Sequence, residues 1–337
     1  MRRIIILLLL SVLALAVSCS TTAVVRDVHS PVLEEYLSSP FEMATVYAKG
    51  QKENGKPEKI HISWKGEERK EYTFLLSTDE DFSSYREYLS DTNSIDLENL
   101  FIGTTYFWKI EGTSESGSFR VSAHAPRVID VDGVTNFRDV GGWNDSIRQG
   151  LLYRSARLSE NRTGEPLITE KGRKTFVEEL GIRTEVDLRD TKNNEYGSLS
   201  SSAAGEGVKY IHYPMKSGGN CLLLNIDVLP GLFEILADES NYPLVYHCSI
   251  GCDRTGVVSF LVNGLLGVSE ENLYRDYLVS NFALVKVMRT PSAIDDYIDY
   301  MERYSGETLS ERIEAFLLDA GVEAEDISAF REIMLEN

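Results

Sequence analysis

The alternation of apolar and polar positions changes character twice along the chain. Residues 4–17 are almost wholly apolar and follow a basic start, Met1-Arg2-Arg3. Residues 20–40 are polar and without strong periodicity, which predicts a tether holding at most one short helix. From 41 to 122 the period becomes two. Lys59-Ile60-His61-Ile62-Ser63-Trp64 alternates polar with apolar as a half-buried strand does, between the turn pairs Lys56-Pro57 and Lys65-Gly66. Tyr72-Thr73-Phe74-Leu75-Leu76, Thr105-Tyr106-Phe107-Trp108-Lys109-Ile110 and Ser118-Phe119-Arg120-Val121 predict further strands. This rhythm predicts an all-β sandwich of two sheets, with Trp64 and Trp108 in its core.

After residue 126 strands and helices alternate. Thr169 can cap a helix that carries Phe176, Val177 and Leu180 on one face and stops at Gly181. Glu185-Val186-Asp187-Leu188, Tyr210-Ile211-His212-Tyr213 and Pro243-Leu244-Val245-Tyr246 predict strands, residues 225–237 a helix, and nearly everything after Gly256 is helical. The expectation over 126–337 is an α/β unit, a central sheet flanked by helices.

The chemistry lies where the last strand meets a helix: His247-Cys248-Ser249-Ile250-Gly251-Cys252-Asp253-Arg254-Thr255-Gly256. A loop there can wrap a phosphate, because unpaired backbone N–H groups and the helix dipole both favour an anion. The spacing between Cys248 and Arg254 lets the amides of Ser249, Ile250, Gly251, Cys252, Thr255 and Gly256 converge on one phosphate while Arg254 closes the ring. Gly251 permits the tight curvature. Cys248 as a thiolate would attack phosphorus, Arg254 would grip two phosphate oxygens, and the Thr255 hydroxyl would donate to the sulfur when it leaves. His247 would fix the loop and not act as a base. A general acid is needed for the leaving oxygen. Asp253 is the first candidate and Asp190 the second; Asp253 can equally be a loop-ordering carboxylate paired with a nearby base. The scheme calls for no metal and no cofactor.

Charge narrows the partners. The net charge of −19 argues against nucleic acid and against electrostatic docking on anionic lipid. Any positive field for a phosphorylated substrate must therefore be local to a pocket. The apolar stretch of 4–17 is short for a membrane span and reads as a targeting segment over 1–19. Ala16-Val17-Ser18-Cys19 resembles a bacterial lipobox, which implies lipidation of Cys19, export, and attachment to the cell-envelope membrane through the lipid; plain secretion is the alternative. The mature body keeps Cys221, Cys248 and Cys252, which is no disulfide scaffold.

Two resemblances follow from these residues. Leu97-Glu98-Asn99-Leu100 with Gly103-Thr104-Thr105-Tyr106-Phe107-Trp108-Lys109-Ile110 resembles the fibronectin type III and related immunoglobulin-like pattern, with Ile102 where that pattern has proline. It implies a spacer or binding module of unknown partner. The catalytic loop resembles that of bacterial tyrosine phosphatases reading H-C-x-x-G-K-D-R-T-G. So do Thr135-Asn136-Phe137-Arg138-Asp139-Val140-Gly141-Gly142, Leu152-Tyr153-Arg154-Ser155-Ala156-Arg157-Leu158 and Val186-Asp187-Leu188-Arg189. This implies a phosphatase fold and a phosphocysteine intermediate formed on phosphorylated protein or phospholipid. Relatives active on phosphoinositides carry a loop lysine where this chain has Cys252, which favours phosphotyrosine here; Lys216 is a possible replacement cation. Certain relatives also have an acid where this chain has Lys216-Ser217-Gly218-Gly219-Asn220, which puts more weight on Asp253. Arg138, Arg154 and Arg189 either border the phosphate or form structural ion pairs. Cys252 either forms a reversible disulfide with Cys248 or is an inert small residue. A phosphate-binding module without turnover and an inositol phosphate phosphatase are the competing functions.

Overall fold

A computed structural model describes residues 24–41, 55–67, 70–191, 199–283 and 288–336. The targeting segment with Cys19 lies outside the described residues.

The amino-terminal strands are β1 (Val24–Arg26), β2 (Ile60–Ser63), β3 (Tyr72–Ser77), β4 (Arg86–Ser90), β5 (Ser94–Leu97), β6 (Thr105–Ile110) and β7 (Ser116–Val121). They form one sheet in the order β1-β7-β6-β3-β4 and a second of β2 with β5. Alternation decides the faces: Ile60 and Ile62 are buried while His61 and Ser63 between them are exposed. Both sheets share a core that includes Trp64, Tyr72, Phe74, Tyr106 and Phe119. Phe74 stacks on Trp108, with ring centroids 5.7 Å apart.

Ile102, at the position where the resembled pattern has proline, has a use for its N–H. That group donates to Gln149 Oε1 at 3.1 Å, and Gln149 Nε2 donates back to the Ile102 carbonyl at 2.9 Å. Proline has no N–H to give. The exchange joins the β unit to the α/β unit, where Arg127 also lies 4.4 Å over the Phe101 ring.

The segment expected as a tether differs from that expectation. β1 pairs in parallel with β7. Helix α1 (Pro31–Ser38) buries Leu33, Tyr36 and Leu37, which fall on one helical stripe, in the core of the α/β unit. The Tyr36 ring lies 4.9 Å from that of Phe282, and Arg275 donates to the carbonyls of Tyr36, Leu37 and Ser39, satisfying the orphan carbonyls at the end of α1.

The α/β unit is built on β8 (Arg138–Asp139), β9 (Leu152–Ser155), β10 (Thr184–Asp187), β11 (Lys209–His212) and β12 (Leu244–His247), in the order β11-β10-β12-β9-β8. All pairings are parallel except β8 with β9. The three middle strands are buried on both faces, as a covered parallel sheet requires. Leu244 and Tyr246 of β12 point into one core and Val245 into the other. Helix α2 (Glu170–Lys174) begins at Thr169, whose hydroxyl accepts from Gly172 N–H. It continues as a π-helical turn (Thr175–Glu179) and ends before Gly181 at φ +65°. The other helices are α3 (Leu229–Ala237), α4 (Asp253–Leu265), α5 (Glu270–Val279), α6 (Ser292–Met301), α7 (Leu309–Asp319) and α8 (Ala324–Met334). Helix α4 is buried from Arg254 to Leu265 and forms the centre of the larger core. It begins at Asp253, earlier than the helix expected after Gly256, so Arg254 and Thr255 belong to its first turn.

Candidate active site

Strand β12 carries the chain to the carboxyl edge of the sheet and stops at His247, so Cys248 is the first residue beyond it. Adjacent β10 ends in register, with Asp187 opposite His247. Just past β10, the Leu188 carbonyl accepts from Arg254 Nη1 at 3.4 Å and from Met215 N–H at 3.1 Å. Strand ends, catalytic loop and first turn of α4 therefore meet at one point. His247 is fully buried, its ring nitrogens 2.8 Å from Glu185 Oε1 and 3.3 Å from the Cys248 carbonyl. Burial opposes its protonation, but Asp187 and Glu185 outweigh burial and hold its pKa above the ordinary value. One ligand atom each from Glu185, Asp187 and His247 fall within 4.8 Å of one another. Those atoms are already engaged, by Ser202 on Glu185 and by Arg189 on Asp187. The cluster is a hydrogen-bonded brace beneath the loop.

Cys248 is buried, at 1% exposure. Burial pushes its thiol up, yet the Arg254 guanidinium and the hydroxyl and backbone N–H of Thr255 more than offset this and hold it below its ordinary value. The buried Thr255 hydroxyl has no oxygen or nitrogen partner among the described residues and faces the sulfur. Gly251 sits at φ +69°, and a Cβ there would fall 2.4 Å from the Ser155 carbonyl oxygen, so glycine is required twice over. The outward carbonyls of the loop are all tied down. Arg157 Nη1 donates to Ser249 at 3.0 Å, Asn136 Nδ2 to Ile250 at 3.0 Å and to Gly251 at 2.9 Å, and Arg154 Nη2 to Gly251 at 2.8 Å. Carbonyls tied down in this way leave the loop's N–H groups available for an anion, as the expected phosphate cradle requires. The Ser249 hydroxyl pairs with Asn161.

The family arginines are structural. Arg138 and Arg154 share the buried carboxylate of Asp276, and Arg189 folds back on Asp187 and Ser159. Asn136 is a residue whose role the sequence reading missed. It stands at φ +56°, the left-handed region that asparagine tolerates, and clamps two loop carbonyls. Its place beside Phe137 and Arg138 in a motif was the available signal. Nothing in spacing pointed to Asp276 or Arg289.

Cys252 is buried with its Sγ 3.5 Å from the Ile250 carbonyl. Burial pushes its thiol up to about 11, with the neighbouring Cys248 and Asp253 adding to the rise. It is a free thiol, as are Cys221 and Cys248. Asp253 opens α4 with its side chain 46% exposed and paired to Arg289, Nε to Oδ1 at 2.8 Å and Nη2 to Oδ2 at 2.8 Å. Asp190 lies two residues beyond Leu188, partly buried, past the same sheet edge. Lys216 is exposed and lies 3.4 Å from Asp227.

A mainly parallel sheet that delivers a buried cysteine to a helix whose first turn carries Arg254 is the arrangement expected of the cysteine–arginine class of phosphate loop. The sequence profile of the tyrosine phosphatase family matches residues 129–227 and 220–336, and the chain belongs to that family. It is 25% identical over 182 residues to a tyrosine-protein phosphatase of Cupriavidus necator, a match spanning 45% of this chain and 63% of that protein. It is 26% identical over 267 residues to the triple specificity protein phosphatase PtpB of Mycobacterium tuberculosis, spanning 62% of this chain and 89% of that one. Among solved structures, Pseudomonas aeruginosa TpbA bound to pTyr overlaps 58% of this chain and 94% of its own at 12% identity and a TM-score of 0.33. So slight an overlap carries no functional weight.

Proposed function

We propose that the chain hydrolyses phosphomonoesters through a phosphocysteine at Cys248, with phosphotyrosine in proteins as its substrate class. The observation that carries this is the buried Cys248 thiol, held below its ordinary value by Arg254 and Thr255 at the head of α4. In this scheme Sγ attacks phosphorus, the S–P bond forms and the P–O bond to the tyrosine oxygen breaks. Arg254 and the loop amides hold the three remaining oxygens, whose charge grows in the transition state. Asp253 gives the leaving oxygen a proton. It then takes one from the water that attacks the phosphocysteine, releasing phosphate, while Thr255 donates to the departing thiolate. Ser249, Ile250, Gly251, Cys252 and Gly256 serve through backbone. The steps need no metal.

A second reading, hydrolysis of phosphoinositides or inositol phosphates, shares the same mechanism and draws on the resemblance of the loop. Against it stands Cys252 in the place of a lysine. The test is phosphate release by the full-length chain in detergent, with reductant and without added metal, beside Cys248→Ser. Release from phosphotyrosine peptides that vanishes in the variant supports the proposal. Release only from phosphoinositides moves the substrate class, and binding without release leaves a phosphate-binding module.

The same reading takes the β unit as a fibronectin type III-like spacer and Cys19 as a lipidated anchor residue. An experimental structure of the β unit that fails to superpose on such modules would remove the first. An unlipidated mature amino terminus in mass spectrometry would remove the second.

A further inference from the structure

The structure assigns Arg289 the task of aiming the Asp253 carboxylate, an inference that rests on Asp253 being the acid and base of the proposed reaction. Asp253 occupies the first turn of α4 with its side chain nearly half in solvent. A carboxylate so placed has several staggered conformers open to it. Arg289 removes that freedom: its Nη2 donates to Oδ2 at 2.8 Å, while its Nε lies 2.8 Å from Oδ1 as an ion-pair contact outside hydrogen-bond geometry, so the guanidinium spans both oxygens. Tyr277 contributes a further hydroxyl donor 3.4 Å from Oδ1. Burial and the Asp253 charge raise the pKa of that phenol, so it remains a donor.

The clamp is itself fixed. Arg289 N–H donates to Asn281 Oδ1 at 2.7 Å, and Asn281 Nδ2 donates to the Arg289 carbonyl at 2.9 Å. Asn281 is 3% exposed, in the turn that follows α5, and Tyr277 lies within α5. Helix α5 and the turn after it thus reach Asp253 from two directions, directly through Tyr277 and by way of Arg289 through Asn281. The α5 residue Asp276 holds Arg154, which donates to Gly251 on the other side of the loop. Arg289 is a positioning residue: it acts on the reaction through Asp253.

The experiment compares aryl phosphates of graded leaving-group acidity for the full-length chain and for Asp253→Asn, Arg289→Met, Arg289→Lys and the double variant Asp253→Asn with Arg289→Met. Asp253→Asn should lose about 100-fold or more on phenyl phosphate and little on dinitrophenyl phosphate, whose leaving group needs no proton. Arg289→Met should show the same leaving-group dependence with a loss of roughly 10-fold on phenyl phosphate, since misplacing a catalytic group by about 1 Å has effects of this order or larger. The double variant should be no worse than Asp253→Asn, because the two residues act as one unit. Arg289→Lys, which keeps the charge but not the guanidinium that spans both oxygens, should fall between, and carries the same test if Arg289→Met fails to fold.

Loss of equal size on every leaving group in the Arg289 variants, or full additivity in the double variant, would overturn the positioning role and leave the pair a loop-ordering contact. A flat response in Asp253→Asn itself has a different signature. It would sink the acid–base reading of Asp253, and the role of Arg289 with it.

Discussion

The catalytic loop is gripped by arginines on two sides, and the two grips are built in opposite ways. On the inner side Arg138 and Arg154 converge on Asp276, with side-chain exposures of 1%, 0% and 6%. On the outer side Arg289 holds Asp253, with exposures of 12% and 46%. Ions taken wholly out of water are stable only as a complete set, so removing one leaves the others uncompensated. A half-solvated pair loses little when broken, since water replaces the partner. The inner grip is therefore tied to the fold, and the outer grip is free of that duty and open to the positioning role proposed for it. Helix α5, which supplies Asp276 and Tyr277, is where the two meet.

The comparison breaks most visibly at Asp276. Asp276→Asn strands two buried guanidinium groups and should cost about 3–5 kcal/mol in urea unfolding, a large fraction of the stability of an ordinary domain. The matching change on the outer side, Asp253→Asn, should cost no more than about 1 kcal/mol. Equal losses from the two would mean that burial does not separate the grips, and the division of labour argued from it would fall.

What was legible in the sequence follows the same division. Cys248, Arg254, Thr255 and Gly251 lie within a few positions of one another, and the strand before and helix after them are continuous apolar runs. Local chemistry and local pattern were enough to place them. The partners that hold the loop are distant in sequence: Asp276 meets Arg138 across 138 positions, and Arg289 meets Asp253 across 36. No periodicity encodes such pairings. Among the strands missed, β1, β4 and β5 are mostly exposed or partly exposed along their length, so none shows clean alternation. The reading of 20–40 allowed for the short helix α1 but not for its docking, because one short apolar stripe does not say what it packs against. The open question over Arg138, Arg154 and Arg189 is answered by their carboxylate partners Asp276 and Asp187, pairings that sequence spacing does not supply.

Between the two grips sits Cys252, close to Asn136 on one side and within the field of Arg289 on the other. Burial and the nearby negative groups hold its thiol at about 11, and burial holds that of Cys221 at about 12, whereas Cys248 is shifted down. The nucleophile is the thiolate, so a lowered value extends reactivity toward acid pH and a raised one confines it to strongly alkaline conditions. At about pH 7 iodoacetamide should alkylate Cys248 and leave both other thiols intact, as read by peptide mass spectrometry. Cys252→Ser should shift stability by no more than about 1 kcal/mol and leave the sensitivity to peroxide unchanged. Reductant-reversible inactivation that is lost in Cys252→Ser would instead establish a Cys248–Cys252 disulfide.

The smallest expected effect belongs to Lys216, the cation outside both grips. Its ammonium is more than half exposed and lies 3.4 Å from an equally exposed Asp227. An exposed pair of this kind contributes about 0–1 kcal/mol, and salt screens it. Arg289, by contrast, has its charge beside Cys252 and Asp253, where a loop lysine would have stood. Lys216→Ala should therefore leave melting temperature and phosphotyrosine turnover within error of the parent, while Arg289→Met does not. The informative arm is phosphoinositide turnover. If Lys216→Ala abolishes it and spares phosphotyrosine peptides, Lys216 serves as the missing lysine despite its exposure. If both activities are spared, Lys216 is not the missing lysine, and its pair with Asp227 is a solvated surface contact.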